Sequence, residues 1–200
     1  MKSILISIKP EWCEHIANHR KVFEIRKSRP KVDNVFKCYI YCTNDKKLFL
    51  DSDCNNKFWT EKNYGGSHYY NGKVVGEFVC DYIEEHTIYS LTEQFGHINR
   101  KRRLLELSCL SWEELTKYIG TYRSDKCYAW HISNLKIYDK PKELSEFYSA
   151  KWDMPCEHKK RGFNMDFCMA YENGSHFCKE CICDKKRLTQ PPQSWCYVES

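Results

Sequence analysis

The chain's apolar positions fall into short runs, separated by charged and aromatic stretches. Ser3 to Lys9 is β-branched and apolar, which predicts a first strand. Pro10 suits the first turn of a helix, where its missing N–H costs nothing, and Trp12, Cys13, Ile16 and Ala17 then share one helical face. Asn18 to Lys21 ends that helix in a polar, mostly cationic turn. Val35 to Cys42 alternates cleanly, with Phe36, Cys38, Ile40 and Cys42 on one side. Lys73 to Ile83 is a nearly all-apolar strand interrupted by Glu77. The period turns helical from Ser90 to Gly120, with Ser111 as N-cap before Glu113 and Glu114, and with Gly120 as the stop. Cys127 to Tyr138 predicts a long strand, and Pro141 to Phe147 a short turn or helix. Pro191 to Glu199 is a Pro-entered strand that closes the chain.

Between the first helix and Pro30 lies the most charged of the predicted strands. At period two, Phe23 and Ile25 take one side, while Val22, Glu24 and Arg26 take the other. The expectation is a half-buried strand whose outward side carries a carboxylate and a guanidinium, with Lys21 at its entrance. A solvated surface and a binding site both account for such a side. Residues 44–72 are polar and aromatic, a long excursion of the kind that is often functional.

Composition narrows the class. The 200 residues, 30% charged and 42% hydrophobic, fit one globular domain or one domain with an insertion. A formal charge of +5 is compatible with a polyanionic partner without requiring one. No run of about 18 apolar residues is present, so no membrane span is expected. The N-terminus lacks the features of a signal peptide, which points to a reducing, cytoplasmic location.

Thirteen cysteines are unusual for such an address. Cys13, Cys38, Cys42, Cys80 and Cys109 lie within apolar patterns and read as small core residues. Six more, from Cys156 to Cys196, crowd the C-terminus. Cys178 and Cys181 form a Cys-x-x-Cys knuckle followed by Cys183, with Cys156, His158, Cys168 and His176 upstream. Thiolates so spaced can grip a tetrahedral zinc. The candidate ligands are Cys156, Cys168, Cys178, Cys181 and Cys183. Residues 149–188 hold too few large aliphatics for a core of their own, and a structural zinc would supply the missing folding energy. Redox-active or unpaired thiols and a disulfide are the other readings.

Four segments together resemble an ASCH domain, a family within the PUA-like group of small barrels. They are the opening Ser-Ile-Lys-Pro, Lys21-x-x-Glu24-x-Arg26, Gly72-Lys73-Val74-Val75-Gly76-Glu77-Phe78 and Tyr128-Ala129-Trp130-His131-Ile132. The resemblance implies an α+β fold, a small mixed β-barrel with flanking helices, formed by residues 1–148 plus 189–200. Residues 149–188 become a Cys-rich insertion before the last strand, which would pair with the first and help close the barrel. The family's usual glycine two residues before the lysine is His19 here, so the turn must be made without glycine's easy access to positive φ.

The resemblance also implies a cleft facing RNA or a nucleoside. Some relatives are similar to amidohydrolases of an N4-acylated cytidine that use a lysine, a threonine and a later glutamate. Lys21 and Glu77 match two of these, but Glu24 stands in the threonine's place and removes the hydroxyl nucleophile. As a binding site, Lys21 and Arg26 would hold phosphate or a base edge, and Glu24 or Glu77 would accept from an exocyclic amine. Trp59, Tyr64, Tyr69 and Tyr70 would stack an unpaired base. Arg102, within the basic run Arg100 to Arg103, is a candidate phosphate contact. As a hydrolase of a nucleoside or RNA, the catalytic residues would be Lys21 with Glu24 or Glu77. A structural ion pair between Glu77 and Lys21 or Arg26, and a protein-interaction role for the Cys-rich segment, complete the alternatives.

Overall fold

The computed structural model describes residues 3–32, 35–44, 70–92, 98–149 and 186–199. In chain order the elements are β1 (Ser3–Ile8), α1 (Pro10–Ala17), β2 (Phe23–Arg26), β3 (Phe36–Cys42), β4 (Val74–Cys80), β5 (Ile83–Thr87), α2 (Ile88–Thr92), α3 (Ile98–Ser108), α4 (Trp112–Ile119), β6 (Lys126–His131) and β7 (Ser133–Lys142). A 3₁₀ turn (Leu144–Glu146) follows, then β8 (Tyr148–Ser149), β9 (Lys186–Arg187) and β10 (Trp195–Glu199).

These strands make two sheets, not the expected closed barrel. One has seven strands in the order β7-β4-β3-β1-β10-β8-β9, and the other three in the order β2-β6-β5. The reason is that two of the predicted long strands each divide between the sheets. Residues 73–83 break at Asp81 and Tyr82 into β4 and β5, and residues 127–138 break at Ile132 into β6 and β7. The C-terminal strand does pair with the first, Ser3 opposite Val198 and Ile6 opposite Trp195, while β3 runs parallel along the other edge of β1.

Alternation along the strands then separates three cores. Ile4, Ile6, Cys38, Ile40 and Phe78 of the large sheet pack with Tyr128 and Trp130 of the small one and with Cys13 and Ile16 of α1. On the far side of the small sheet, Phe23, Ile25, Cys127 and Ala129 meet Leu104, Leu115 and Ile119 of the helices. On the far side of the large sheet, Leu5, Tyr39, Tyr41, Val74 and Val198 pack with Leu144 and Phe147. So β2 is sandwiched, and the side of it that carries Glu24 and Arg26 faces the inter-sheet core rather than water.

The helical region forms as its pattern predicts. Ser111 and Glu114 complete a reciprocal capping box, a feature contributing about 1 kcal/mol. Gly120 ends α4 at φ 117°, a conformation L side chains rarely adopt. No described helix is long and apolar enough to cross a membrane.

The candidate functional site around Lys21

Helix α1 delivers Lys21 through a tight turn. The His15 carbonyl accepts from both the Arg20 and Lys21 amides at 2.9 and 3.0 Å, and His19 adopts φ 55°. The chain therefore makes at a histidine the left-handed turn that glycine makes most cheaply. Such a turn costs an L residue about 1–2 kcal/mol.

Lys21 Nζ donates to the Ser108 carbonyl at 2.7 Å, lies 3.5 Å from Glu24 Oε2 and sits 5.2 Å from the Trp12 ring centre. Glu24 Oε1 is 3.1 Å from an Arg26 guanidinium nitrogen, which donates to the Ser7 carbonyl at 2.6 Å. This chain of contacts joins the end of α3 to β1 through β2. The Lys21, Glu24 and Arg26 side chains are only 2%, 8% and 9% exposed, so the half-solvated side expected of the strand is instead an interior charge cluster. Burial lowers the Lys21 pKa from its ordinary value, with the Glu24 carboxylate opposing that shift. Two cations on one carboxylate leave a formal positive charge inside the protein.

The cluster is incompletely satisfied. Among the described residues, Glu24 Oε2, apart from its long approach to Lys21, and Arg26 Nε have no hydrogen-bond partner, and neither does the Trp130 indole N–H. Trp130 stands directly opposite Glu24 in the β2–β6 register. Unmet buried polar groups are rare, so three of them together call for an explanation.

Beside Lys21 opens a pocket of about 300 Å³ lined by Ile16, His19, Lys21, Val22, Ile132, Asn134 and Leu135. Three non-glycine residues with positive φ occur among the described residues, and all three adjoin this region. His19 and Asn134 (φ 47°) line the pocket, while Cys109 (φ 55°) follows the Ser108 carbonyl that receives Lys21. Backbone strain gathers at binding and catalytic sites because the surrounding structure must hold it in place.

Glu77 does not join this cluster. Lys37 Nζ donates to its Oε1 at 3.1 Å and the Tyr138 hydroxyl to its Oε2 at 2.6 Å. Glu77 pairs in register with Tyr39, whose ring belongs to the outer core of the large sheet, whereas Glu24 acts electrostatically on Cys13 and Cys38 of the inter-sheet core. Strand alternation puts those residues on opposite faces, so the expected pairing of Glu77 with Lys21 or Arg26 is corrected to Lys37 and Tyr138. Burial alone would raise the Glu77 carboxyl, but the two hydrogen bonds and the Lys37 charge outweigh it and lower its pKa.

Tyr70 is 7% exposed and packed into the inter-sheet core, not displayed for stacking. Arg102 lies on the outer face of α3, 2.6 Å from Glu106 one turn on. Tyr69, Trp59, Tyr64 and the cysteine ligand set Cys156, Cys168, Cys178, Cys181 and Cys183, with His158 and His176, fall outside the described residues. Among the described residues no cluster of His, Cys, Asp and Glu could hold a metal. The core cysteines are inert packing groups. Burial raises Cys13 and Cys38 well above the usual range and pushes Cys80 and Cys127 up to about 12.

No protein-family model matches the sequence, and no curated protein does. Solved structures do. ASCH from Zymomonas mobilis superposes with a TM-score of 0.52 at 16% identity, covering 99% of this chain and 88% of that one. A point mutant of the same protein gives 0.51 at 16% identity, covering 99% and 89%.

The chain has an ASCH-like fold.

Within this ASCH-like fold, three of the four resembling segments meet at the charge cluster. The Ser7 carbonyl receives Arg26, and Trp130 faces Glu24 across the β2–β6 pair. The fourth supplies β4, whose Glu77 points to the other face. Ser108, Trp12, Asn134 and Leu135 were not among the expected site residues. Trp12 could have been found, since it lies on the helix leading to Lys21. The other three are ordinary residues placed there by tertiary contacts alone.

Proposed function

We propose that this protein binds RNA or a modified nucleoside, with one base entering the pocket beside Lys21. The observation that carries this is the pocket itself. It has apolar walls from Ile16, Val22, Ile132 and Leu135, polar groups from Lys21 and Asn134, and a strained backbone around its rim. A few polar groups set in an apolar concavity are what orient and select a flat heterocycle. Lys21 and Arg26 are committed to carbonyls and to Glu24, so they set the field of the site more than they grip a phosphate. The amide of Asn134 is the group best suited to read a base edge. The ASCH-like fold fits this reading, because the resemblance implies an RNA or nucleoside ligand for such a cleft.

The test is calorimetric titration with a panel of nucleosides, N4-acylated cytidine included, against the protein and its Leu135→Trp and Asn134→Ala variants. The indole should fill the pocket and abolish binding while leaving the charge cluster intact. Unchanged affinity in a folded Leu135→Trp protein would refute the pocket. Following the same mixtures for turnover tests the hydrolytic alternative, for which Glu24 is the carboxylate at Lys21.

For the Cys-rich segment the proposal is a structural zinc, resting on the Cys178-x-x-Cys181 spacing. Protein purified without added metal should carry about one zinc per chain, with roughly four thiols protected until a chelator is added. Thirteen freely titrating thiols would dismiss it.

A further inference from the structure

We propose that the end of the small sheet remote from the Lys21 pocket is a second binding surface, one that takes the bases and phosphates of single-stranded RNA. Five large apolar side chains are prominently exposed among the described residues, and four of them are tyrosines. Three of those four, Tyr89, Tyr118 and Tyr122, gather where β2 ends, β5 runs into α2 and α4 turns into β6. The Tyr89 amide donates to the Arg123 carbonyl at 3.2 Å, and the Ile88 amide to the Asp125 carbonyl at 2.8 Å, which fixes the α2 start against the turn before β6.

The cations here are arranged over the rings. The Arg123 guanidinium lies 4.7 Å from the Tyr89 ring centre, and Lys27 Nζ lies 5.2 Å from that of Tyr118. Neither cation has a carboxylate partner among the described residues. The nearby acids are already engaged, Asp125 accepting from the Tyr122 amide at 2.8 Å and Glu85 pairing with Lys126 at 3.0 Å. The Tyr122 side chain is partnerless among the described residues, and the residue is 77% exposed.

Single exposed tyrosines need no explanation, but three interleaved with unpaired cations do. A guanidinium held flat on a tyrosine presents its other face for a base and its N–H groups for a phosphate. An open tyrosine ring beside it takes the next base regardless of sequence. Protein–protein interfaces also favour tyrosine and arginine but are poor in lysine, whereas here Lys27 sits over the Tyr118 ring, which suits a polyanion. This surface is separate from the pocket, so it can fail while the nucleoside reading stands, and the reverse.

The experiment is fluorescence anisotropy of a labelled single-stranded oligouridylate with the full chain, across a salt series. Wild-type protein should bind with an affinity that falls as salt rises, about 0.7 of a logarithmic unit per logarithmic unit of salt for each phosphate contacted. Tyr118→Ala combined with Tyr122→Ala should weaken binding about tenfold or more, since each lost base stack is worth about that factor. Lys27→Ala with Arg123→Ala should flatten the salt dependence, and Tyr122→Phe should bind like wild type. All these positions are exposed, so the variants should fold. Circular dichroism and unchanged urea-unfolding midpoints confirm that they have. No oligonucleotide affinity in the wild type, equal affinity in the tyrosine double variant, or concentration-dependent self-association that the double variant abolishes would each overturn the proposal.

Discussion

Two lysine–glutamate pairs lie on opposite faces of the seven-stranded sheet. Lys21 and Glu24 are 2% and 8% exposed, and Lys37 and Glu77 are 31% and 22% exposed. Both pairs are within ion-pair distance, yet their lysines shift in opposite directions. Burial leads at Lys21 and lowers its pKa, while the hydrogen bond that Lys37 donates to Glu77 leads at Lys37 and raises it. Charge partners alone therefore do not decide protonation behaviour; how much water each pair keeps decides it. The interior pair belongs to a cluster with unmet hydrogen-bonding groups beside a pocket, and the outer pair, capped by Tyr138, is fully engaged. One arrangement leaves buried polar groups unmet among the described residues, and the other is a structural brace.

The largest expected contrast is in stability. Glu24→Ala strands two buried cations and should cost about 3–5 kcal/mol, whereas Glu77→Ala, with water at hand, should cost about 1 kcal/mol or less. Urea unfolding of both variants measures this, and similar losses would erase the distinction.

Next comes alkaline pH. Lys21 has a folded pKa below its ordinary 10.5, so the unfolded chain binds the proton more tightly. That penalty is relieved as pH climbs from the folded value towards 10.5, and stability should rise. Lys37 has a folded pKa above 10.5, and its contribution is complete below that value and fades as pH rises through the folded pKa. Unfolding midpoints of Lys21→Met and Lys37→Met along an alkaline series, compared with wild type, should therefore diverge in opposite senses.

Acid provides a smaller version. Glu77 has a lowered folded pKa, so its contribution is present above the ordinary 4.5 and is lost as pH falls through the folded value. Glu77→Gln should flatten that limb of the stability curve, and an unchanged limb would assign the acid sensitivity elsewhere.

The smallest effect concerns the turn that feeds the interior pair. His19→Gly should stabilise by about 1 kcal/mol or less, as relief of the left-handed backbone is partly offset by greater unfolded-state freedom. A matching loss of nucleoside affinity would show that the histidine side chain serves the pocket it lines.

Much of this architecture is written locally. The β-branched opening strand, the Pro10 helix start, the Ser111 cap and the Gly120 stop all follow from patterns of a few residues, while the pairing of the last strand with the first is implied by the family resemblance. The strand breaks at Asp81 to Tyr82 and at Ile132 do not. Asp81 at the first break, and Ser133 and Asn134 after the second, are polar, but single strands tolerate such residues, and nothing local distinguishes a strand that bends from one that changes sheets. That uncertainty propagated to the site. Without the break, β2 looks like a half-exposed strand, its charges look solvated, and Glu77 looks like the natural partner of Lys21.

The sequence alone singled out Lys21, Glu24 and Arg26, which the structure gathers into one buried charge cluster, because an uncommon charge pattern sits on a short strand directly after a helix. It also determined that Trp130 belongs to a buried strand and that His19 must make an awkward turn. Only the tertiary structure decided which side of β2 meets the interior, that Ser108 and Ser7 receive the two cations, and that Glu77 stands on another face. The physical reason is range: periodicity and capping act over a few neighbours, while burial, and with it the behaviour of every charge here, is set by which sheet packs on which.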